Sequence, residues 1–215
     1  YGNITSNIGT DKGLKFSTGA DNGVFDSCII TLNGRGEAIV VEAGALTVKN
    51  CALSGDTGNN GVHIGTDITN IYNTIIQGFN DGVKTSAGAT ANSTNCAVFD
   101  SGNDFDIAVG TQNIDFCASD DGDGTNSVDI SPGGTEADDW NNAFTDYANG
   151  DFSVKDTSSV LYNAGTDLSG SGVTDDIIDT ARPQPGGGSY DIGAFELVQA
   201  AAGGIVILRR RIEGK

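Results

Sequence analysis

The chain has 215 residues, which suits one domain that is large enough to bury a hydrophobic core. Its formal net charge of −18 argues against binding to nucleic acid or to an anionic membrane surface, because like charges repel. No stretch approaches the roughly 20 consecutive apolar residues that span a bilayer. The sequence starts at Tyr1 and contains no Met, so we expect a processed product or a fragment.

Glycine accounts for 32 residues and proline for only 3, without a collagen period. Asn, Asp, Ser and Thr are also abundant. Gly and Asn tolerate the positive φ angles of tight turns, so this composition indicates many turns between short strands.

A short segment recurs about every 22 residues along the first half of the chain. Its copies centre on five anchor positions: Cys28, Cys51, Thr74, Cys96 and Cys117. Upstream of each anchor lies a second segment with alternating apolar residues, at 13–16, 38–41, 61–64, 82–85 and 106–109. Such alternation is typical of a half-buried β-strand.

Three short strands per 22 residues predict one coil of a β-solenoid, because stacked coils pair every strand with the coils above and below. We therefore predict an all-β parallel β-helix of about five coils. The anchor residues should stack in one ladder. A second ladder should join Asn50, Asn73 and Asn95 through their side-chain amides.

The four cysteines occupy equivalent positions, which predicts free, stacked thiols packed as small hydrophobic groups. Two adjacent pairs, Cys28 with Cys51 and Cys96 with Cys117, are close enough to bridge but awkwardly oriented for it.

The period is lost after residue 120, which divides the chain into three predicted parts. Residues 1–120 form the coils, 121–200 a C-terminal capping region and 201–215 a tail. An open last coil would expose its core and its unpaired edges, so it needs a plug. The candidates for the plug are large apolar residues: Trp140, Phe144, Tyr147, Phe152 and Leu161.

The capping region contains the run Asp151-Phe through Ala164-Gly165, then Asp179, Arg182-Pro183 and Asp191-Ile-Gly-Ala-Phe-Glu196. This pattern resembles the terminal segment of right-handed parallel β-helix proteins of the pectin-lyase-like superfamily, of bacterial surface or phage-associated type. Thr180 follows Asp179 where that ending often has Gly. The resemblance implies right-handed coils and an extracellular, cell-surface or virion location. It implies no activity, since function does not follow from fold.

Aligning the upstream segments places Lys15, Val40, His63, Lys84 and Ala108 in one outward row. Lys15, His63 and Lys84 would form a weak cationic strip that contacts glycans. In a lyase, such a strip would neutralise a uronate beside a catalytic base. The alternative is an ordinary solvated face, since Val40 and Ala108 interrupt the row.

The run Asp121-Gly-Asp-Gly-Thr-Asn126 is similar to calcium-binding loops, where oxygen ligands alternate and Gly permits the turn. Asp121, Asp123 and Asn126 are the candidate ligands, and Ca²⁺ is the candidate cofactor. No Glu completes an EF-hand, because position 132 is Pro132. The alternative is an acidic turn that leaves the last coil.

The C-terminal tail combines a β-prone apolar run with a basic end. Its candidate attachment residues are Ile205, Val206, Ile207, Leu208, Arg209, Arg210 and Arg211. We expect it to dock on an acidic neighbouring subunit by strand addition and ion pairing, either in self-association or in a larger assembly. A disordered end is the alternative.

The leading functional hypothesis is a non-catalytic structural module of a virion fibre, decoration or spike, or of an extracellular surface assembly, with glycans as further contacts. The first alternative is a polysaccharide lyase or glycoside hydrolase of the pectin-lyase-like class. The second alternative is a monomeric adhesin or glycan-binding module. The first two hypotheses differ in an observable way, since an enzyme requires convergent titratable groups.

Overall fold

The computed structural model describes residues 2–6, 13–16, 22–34, 36–56, 58, 60–120, 122–130, 136–184 and 186–199, with backbone alone at 2–6 and 136–138. The strands are β1 (Gly2–Ser6), β2 (Leu14–Phe16), β3 (Gly23–Asp26), β4 (Cys28–Leu32), β5 (Glu37–Val41), β6 (Leu46–Lys49), β7 (Ala52–Ser54), β8 (Asn60–Ile64), β9 (Ile68–Tyr72), β10 (Ile75–Gln77), β11 (Asp81–Thr85), β12 (Thr90–Thr94), β13 (Ala97–Phe99), β14 (Asn103–Asp106), β15 (Thr111–Asp115), β16 (Ala118–Ser119), β17 (Val128–Asp129), β18 (Phe144–Asp146) and β19 (Asp151–Val154). Helix α1 spans Glu136–Ala143, and two 3₁₀ turns span Tyr147–Asn149 and Ser169–Ser171.

Strands β1–β17 form three parallel sheets, and β18 pairs with β19 in a separate antiparallel sheet. Sheet A has the order β1-β4-β7-β10-β13-β16-β17, sheet B β14-β11-β8-β5-β2, and sheet C β15-β12-β9-β6-β3. Because every third strand returns to the same sheet, the chain winds as a parallel β-solenoid of about four turns with coils of about 22 residues. The predicted all-β solenoid is confirmed. The predicted right hand and the count of five coils stay predictions.

The corner before each anchor has a left-handed backbone. The residues at this corner have φ angles between 44° and 56°: Ser27, Asn50, Asn73, Asn95 and Phe116. Asn adopts this conformation more readily than most residues, because its short polar side chain bonds locally. The recurring Asn before the anchor therefore reflects the turn that joins sheet C to sheet A.

The predicted amide ladder at this corner is confirmed at one step. Asn95 Nδ2 donates to Asn73 Oδ1 at 3.3 Å. Asn50 Nδ2 instead donates to Asp26 Oδ1 at 3.1 Å. A further ladder, which the sequence did not reveal, runs along sheet C. There, Asn92 donates to Asn70 at 2.9 Å and Asn113 donates to Asn92 at 2.8 Å.

The solenoid interior is a largely apolar stack. Its members include Ile30, Leu53, Ile76 and Val98 from sheet A, which follow one another in register. The anchors stack as predicted, since each lies one position before the paired residues of sheet A. All four cysteines are free thiols, as predicted.

The fifth upstream strand was placed wrongly from the sequence. The structure has β14 at Asn103–Asp106, and Phe105 pairs with Val83 in the interior. Ile107 and Val109, which carried the predicted alternation, are 67% and 46% exposed. Phe105 fills the inner position, so the apolar residues after it are left in an exposed turn.

Residues 136–199 form what we call the C-terminal cover. It packs on the outer face of sheet A, against Ala52, Ile75, Ala97, Phe99 and Ala118. Phe99 lies at the centre of its aromatic contacts, with ring centroids 4.2–6.0 Å from four cover rings: Trp140, Phe144, Tyr147 and Phe152. The prediction that these residues plug the last coil is therefore wrong. They cover the side of the solenoid, because the outward residues of sheet A are themselves apolar.

The sequence motif at the end of the cover forms a buried ionic network. Arg182 binds Glu196 Oε2 at 2.9 Å, and both side chains are inaccessible to solvent. Arg182 also donates to the backbone carbonyls of Asp191 and Gly193. Asp191 in turn accepts the backbone N–H groups of Asn163 and Leu197, each at 2.7 Å. The motif therefore fastens the end of the cover, and Asn73 donates to the same carbonyls from the solenoid side.

The proposed division at residues 120 and 200 stays a prediction. Within the described ranges, no helix is long and apolar enough to cross a membrane. The predicted attachment residues Ile205–Leu208 and Arg209–Arg211 lie outside the described residues.

Candidate functional site: a row of paired charges on sheet B

The outer face of sheet B carries the predicted row. Backbone register aligns Lys15, Val40, His63, Lys84 and Asp106 on successive strands. The fifth member is Asp106 and not Ala108, because β14 ends at Asp106. The structure thus brings Lys15, His63 and Lys84 into one row, with a carboxylate at its end.

A second row starts the same strands and consists of alternating acids and amides. Glu37, Asn60, Asp81 and Asn103 are aligned in register. Asn60 Nδ2 donates to Glu37 Oε1 at 2.9 Å, and Asn103 Nδ2 donates to Asp81 Oδ1 at 2.8 Å. Each acid is therefore held by an amide from the next coil.

Lys84 and His63 contact carboxylates of the second row, whereas Lys15 contacts Glu42 outside it. Lys84 Nζ lies 2.6 Å from Asp81 Oδ2 and 3.9 Å from Asp106 Oδ2. His63 Nδ1 lies 2.5 Å from Glu37 Oε1. Lys15 pairs with Glu42 at 2.7 Å. Both lysines of the predicted cationic strip are therefore ion-paired, and its histidine is hydrogen-bonded to a carboxylate, which weakens the case for binding a uronate.

The pKa values of the best-buried pair follow from these contacts. Burial acts to raise the pKa of Asp81, but hydrogen bonds from Lys84 and Asn103 outweigh it, so the pKa lies below its ordinary value. The hydrogen bond to Asp81 raises the pKa of Lys84 above its ordinary value, although burial opposes this. Both groups are ionised at neutral pH, and the pair is a fixed charged contact between coils.

Three residues form a hydrogen-bonded chain beside this pair. His63 Nδ1 faces Glu37, and His63 Nε2 lies 3.2 Å from Ser86 Oγ. With the proton on Nδ1, His63 donates to Glu37 and its Nε2 accepts the Ser86 hydroxyl. A carboxylate, an imidazole and a hydroxyl in this order can activate the hydroxyl oxygen as a nucleophile.

The sequence pattern did not reveal Glu37, Asp81 or Ser86 as members of the site. In a regular strand, residues three apart face opposite sides, so Asp81 and Lys84 would not be expected to meet. They meet because the first side chain of each strand does not follow the inward–outward alternation of the later residues in that strand. The signal that was available is the repeat itself, since Glu37, Asn60, Asp81 and Asn103 recur at spacings of 21–23 residues.

The candidate calcium loop is described only in part. Asp121 lies outside the described residues. Asp123 and Asn126 line an open cavity of about 610 Å³ together with Asp115. Asn126 Nδ2 already donates to Asp115 Oδ1 at 2.9 Å. In the part of the chain that the structure describes, no group of three or more His, Cys, Asp or Glu side chains is placed to hold a metal ion, so Ca²⁺ binding stays a prediction.

Comparisons with known proteins give no assignment. No family model matches the chain, and neither a curated protein nor a solved structure matches it. Functional inference therefore rests on the fold and on the contacts described above.

Proposed function

We propose that this protein is a rigid structural module of an extracellular, cell-surface or virion assembly. The observation that carries the proposal is the lateral sealing of sheet A by the C-terminal cover, which touches strands β7, β10, β13 and β16. A solenoid whose coils contact only their neighbours is quasi-one-dimensional. A segment that bridges four coils stiffens it into a rod, which suits a structural part.

The charges of sheet B support the same proposal. Each basic residue of the outer row contacts a carboxylate from the same or a neighbouring coil. Such pairs fix the register of the coils, whereas a glycan-cleaving site needs charges that are directed at a substrate. Glycan contact through this face remains part of the proposal, with the amides and carboxylates as hydrogen-bonding partners.

Two finer assignments also belong to this proposal. We take the coils to be right-handed and of pectin-lyase-like type, which is supported by the role of Arg182 and Glu196 in fastening the last segment. We also take residues 203–215 to be the attachment segment, because their sequence joins a β-prone run to basic residues on an otherwise strongly acidic chain.

The assembly proposal is tested by comparing residues 1–215 with a 1–202 truncation, using light scattering and electron microscopy. We expect defined oligomers or fibres from the full chain and monomers from the truncation. A matched variant, with Ala at Arg209, Arg210 and Arg211, separates charge from chain length, and it should associate less and with weaker salt dependence. Monomers from both the full chain and the truncation would overturn the assembly proposal.

A carbohydrate-active enzyme is the second candidate, and the Glu37–His63–Ser86 chain is the observation that favours it. Among enzymatic reactions, this order of groups suits hydrolysis of an ester on a substituted polysaccharide. His63 would accept the Ser86 proton as Oγ attacks the carbonyl carbon, and would return it to the leaving alkoxide. Water would then release the acyl group. It ranks second because the aligned cation on the next strand, Lys84, is ion-paired with Asp81, which reduces the positive charge available to stabilise an oxyanion.

Turnover of p-nitrophenyl acetate, followed by acetylated polysaccharides, tests the second candidate. An enzyme should show activity that falls at least about 100-fold in both Ser86→Ala and His63→Ala, since losing either group removes the activated nucleophile. Ser54→Ala, in a different sheet, is the matched control. Equal rates in the parent, the two site variants and the control would mean that the Glu37–His63–Ser86 hydrogen bonds are only structural.

A further inference from the structure

The solenoid interior contains two matched pairs of thiols. Cys28 and Cys51 occupy equivalent positions on adjacent coils, as do Cys96 and Cys117. Neighbouring strands of a sheet lie about 4.8 Å apart, which falls inside the Cα spacing of roughly 4.4–6.8 Å that a disulfide spans. Both pairs are reduced in the structure. Spacing alone therefore permits a bridge in either pair.

The pairs differ in their surroundings. Cys28 is only partly buried, whereas Cys51, Cys96 and Cys117 are fully buried. The residue paired with Cys28 on β1 is Gly2, so the ladder has no larger residue on that side. Cys96 instead lies between Thr74 and Cys117. The first pair is therefore the more accessible of the two to a dissolved reagent.

The two pairs also differ in acidity. A hydrogen bond with the Cys51 thiol lowers the pKa of Cys28 to about 7, although burial opposes the shift. The hydrogen bond with Cys28, followed by burial, raises the pKa of Cys51 well above its ordinary value. Burial raises the pKa of Cys117 in the same way. Cys28 is thus the more acidic thiol of its pair.

We propose that Cys28 and Cys51 form a reactive dithiol that low-molecular-weight disulfides oxidise to a disulfide between adjacent coils. The Cys28 thiolate attacks one sulfur of the reagent, whose S–S bond breaks and releases one thiolate. Cys51 then loses its proton and attacks Cys28 Sγ, displacing the second reagent thiolate. Two protein thiols are oxidised, one reagent disulfide is reduced, and the two thiol protons pass to solvent or to the released thiolates.

Geometry also predicts that the bridge is labile. Side chains stacked in register keep their Cβ atoms near the strand spacing, about 1 Å farther apart than a relaxed disulfide has them. Closing the bridge must pull the start of β4 toward β7. A strained disulfide is reduced more readily than a relaxed one, so the oxidised form should revert quickly with a dithiol reductant.

The test uses the reduced full chain with oxidised glutathione at pH 7, followed by mass spectrometry of the intact protein and of its peptides. We expect a loss of two hydrogens that maps to Cys28 and Cys51, with Cys96 and Cys117 unmodified until denaturant is added. Initial attack should be about threefold faster than on a cysteine of ordinary pKa. This factor combines a roughly 16-fold gain in the thiolate fraction with the lower nucleophilicity of a more acidic thiol.

Variants separate the two steps. Cys51→Ser should accumulate the glutathione adduct on Cys28, because the second thiol is missing. Cys28→Ser should not react while folded, and Cys96→Ser should react like the parent chain. Circular dichroism verifies that each variant is folded. Oxidation of Cys96 with Cys117 at an equal rate, or a folded parent chain that does not react at Cys28, would overturn the proposal.

Discussion

At the scale of single residues, the contribution of a lysine on the outer face of sheet B to the free energy of unfolding depends on how deeply its partner carboxylate is buried. Lys84 holds Asp81, whose side chain is 3% exposed, whereas Lys15 holds the more accessible Glu42. If the lysine is removed, the negative charge of a buried carboxylate is left unpaired, because water cannot reach it to take the place of the lysine. The two pairs therefore form a matched comparison within one row.

Replacing Lys84 with Met should lower the free energy of unfolding by about 1–3 kcal/mol at pH 7, while Lys15→Met should cost less than about 1 kcal/mol. The low pKa of Asp81 means that the pair stabilises the fold above the ordinary carboxyl pKa and loses this effect as pH falls through the folded value. The difference between Lys84→Met and the parent should thus shrink in strong acid. Urea unfolding at several pH values measures it, and equal costs for the two variants would contradict the argument.

The raised pKa of Glu196 predicts that stability falls as pH rises, which is opposite to the pH dependence of the Asp81–Lys84 pair. Burial raises its pKa to about 7 against the attraction of Arg182, while the nearby Asp191 raises it further. A carboxyl group whose folded pKa is raised binds its proton more tightly in the folded state. Its stabilising effect is therefore complete below the ordinary value of about 4.5 and is lost as pH rises through about 7. We expect the free energy of unfolding to fall by on the order of 2–3 kcal/mol between pH 5 and pH 8.

Glu196→Gln is the control for this pH dependence. Both oxygens of Glu196 accept N–H groups, from Arg182, Asp191 and Gln184, so an amide costs stability at every pH. The slope between pH 5 and pH 8 should nevertheless flatten, because the titrating group is gone. A slope that persists in Glu196→Gln would assign the effect to another group, with Asp191 the nearest candidate.

At the scale of elements, the sequence predicted the features that repeat. Period-2 alternation located β5, β8 and β11, and the anchors located β4, β7, β10 and β13. The alternation misplaced β14, because Phe105 and Ile107 lie two residues apart and either one fits the same apolar pattern. The sequence prediction also failed for Trp140 and Phe144, because a list of large apolar residues does not say which apolar surface they cover. The sequence indicates the apolar outer face of sheet A only in part, through Phe99 and Ile75 at outward positions.

Phe99 tests whether the cover depends on that surface. Phe99→Ala should destabilise the fold by about 3–5 kcal/mol, because it removes the ring around which four cover rings pack. Trp140 is the only tryptophan and is fully buried against Phe99, so its emission should shift to longer wavelength. Ile29→Ala, at the edge of the cover where the side chain is 37% exposed, should cost less than about 1.5 kcal/mol and leave the emission unchanged. An unshifted spectrum in Phe99→Ala would mean that the cover packs independently of sheet A.

At the scale of the whole molecule, the cover couples coils that a bare solenoid would leave independent. Stability in a repeat protein is approximately a sum over repeats and their nearest-neighbour contacts, so long arrays unfold in parts. Here one segment contacts Ala52, Ile75, Ala97 and Ala118 on four successive strands of sheet A. Lys49 adds a further link, with its Nζ 2.5 Å from the carbonyl of Gly172. Detaching the cover would expose apolar surface on every one of these coils at once.

We therefore expect one cooperative transition for the coils and the cover together. Thermal or urea unfolding followed by Trp140 fluorescence, which reports the cover, should coincide with unfolding followed by far-ultraviolet circular dichroism, which reports mainly the coils. A fragment of residues 1–130 should aggregate, because the outer face of sheet A would be bare, while residues 1–199 should still unfold in a single transition. Two separated transitions, with a soluble and folded 1–130 fragment, would instead make the coils and the cover two domains, as the loss of sequence period after residue 120 first indicated. In that case the cover could move on the rod, and the lateral sealing on which the structural proposal rests would be only a transient contact.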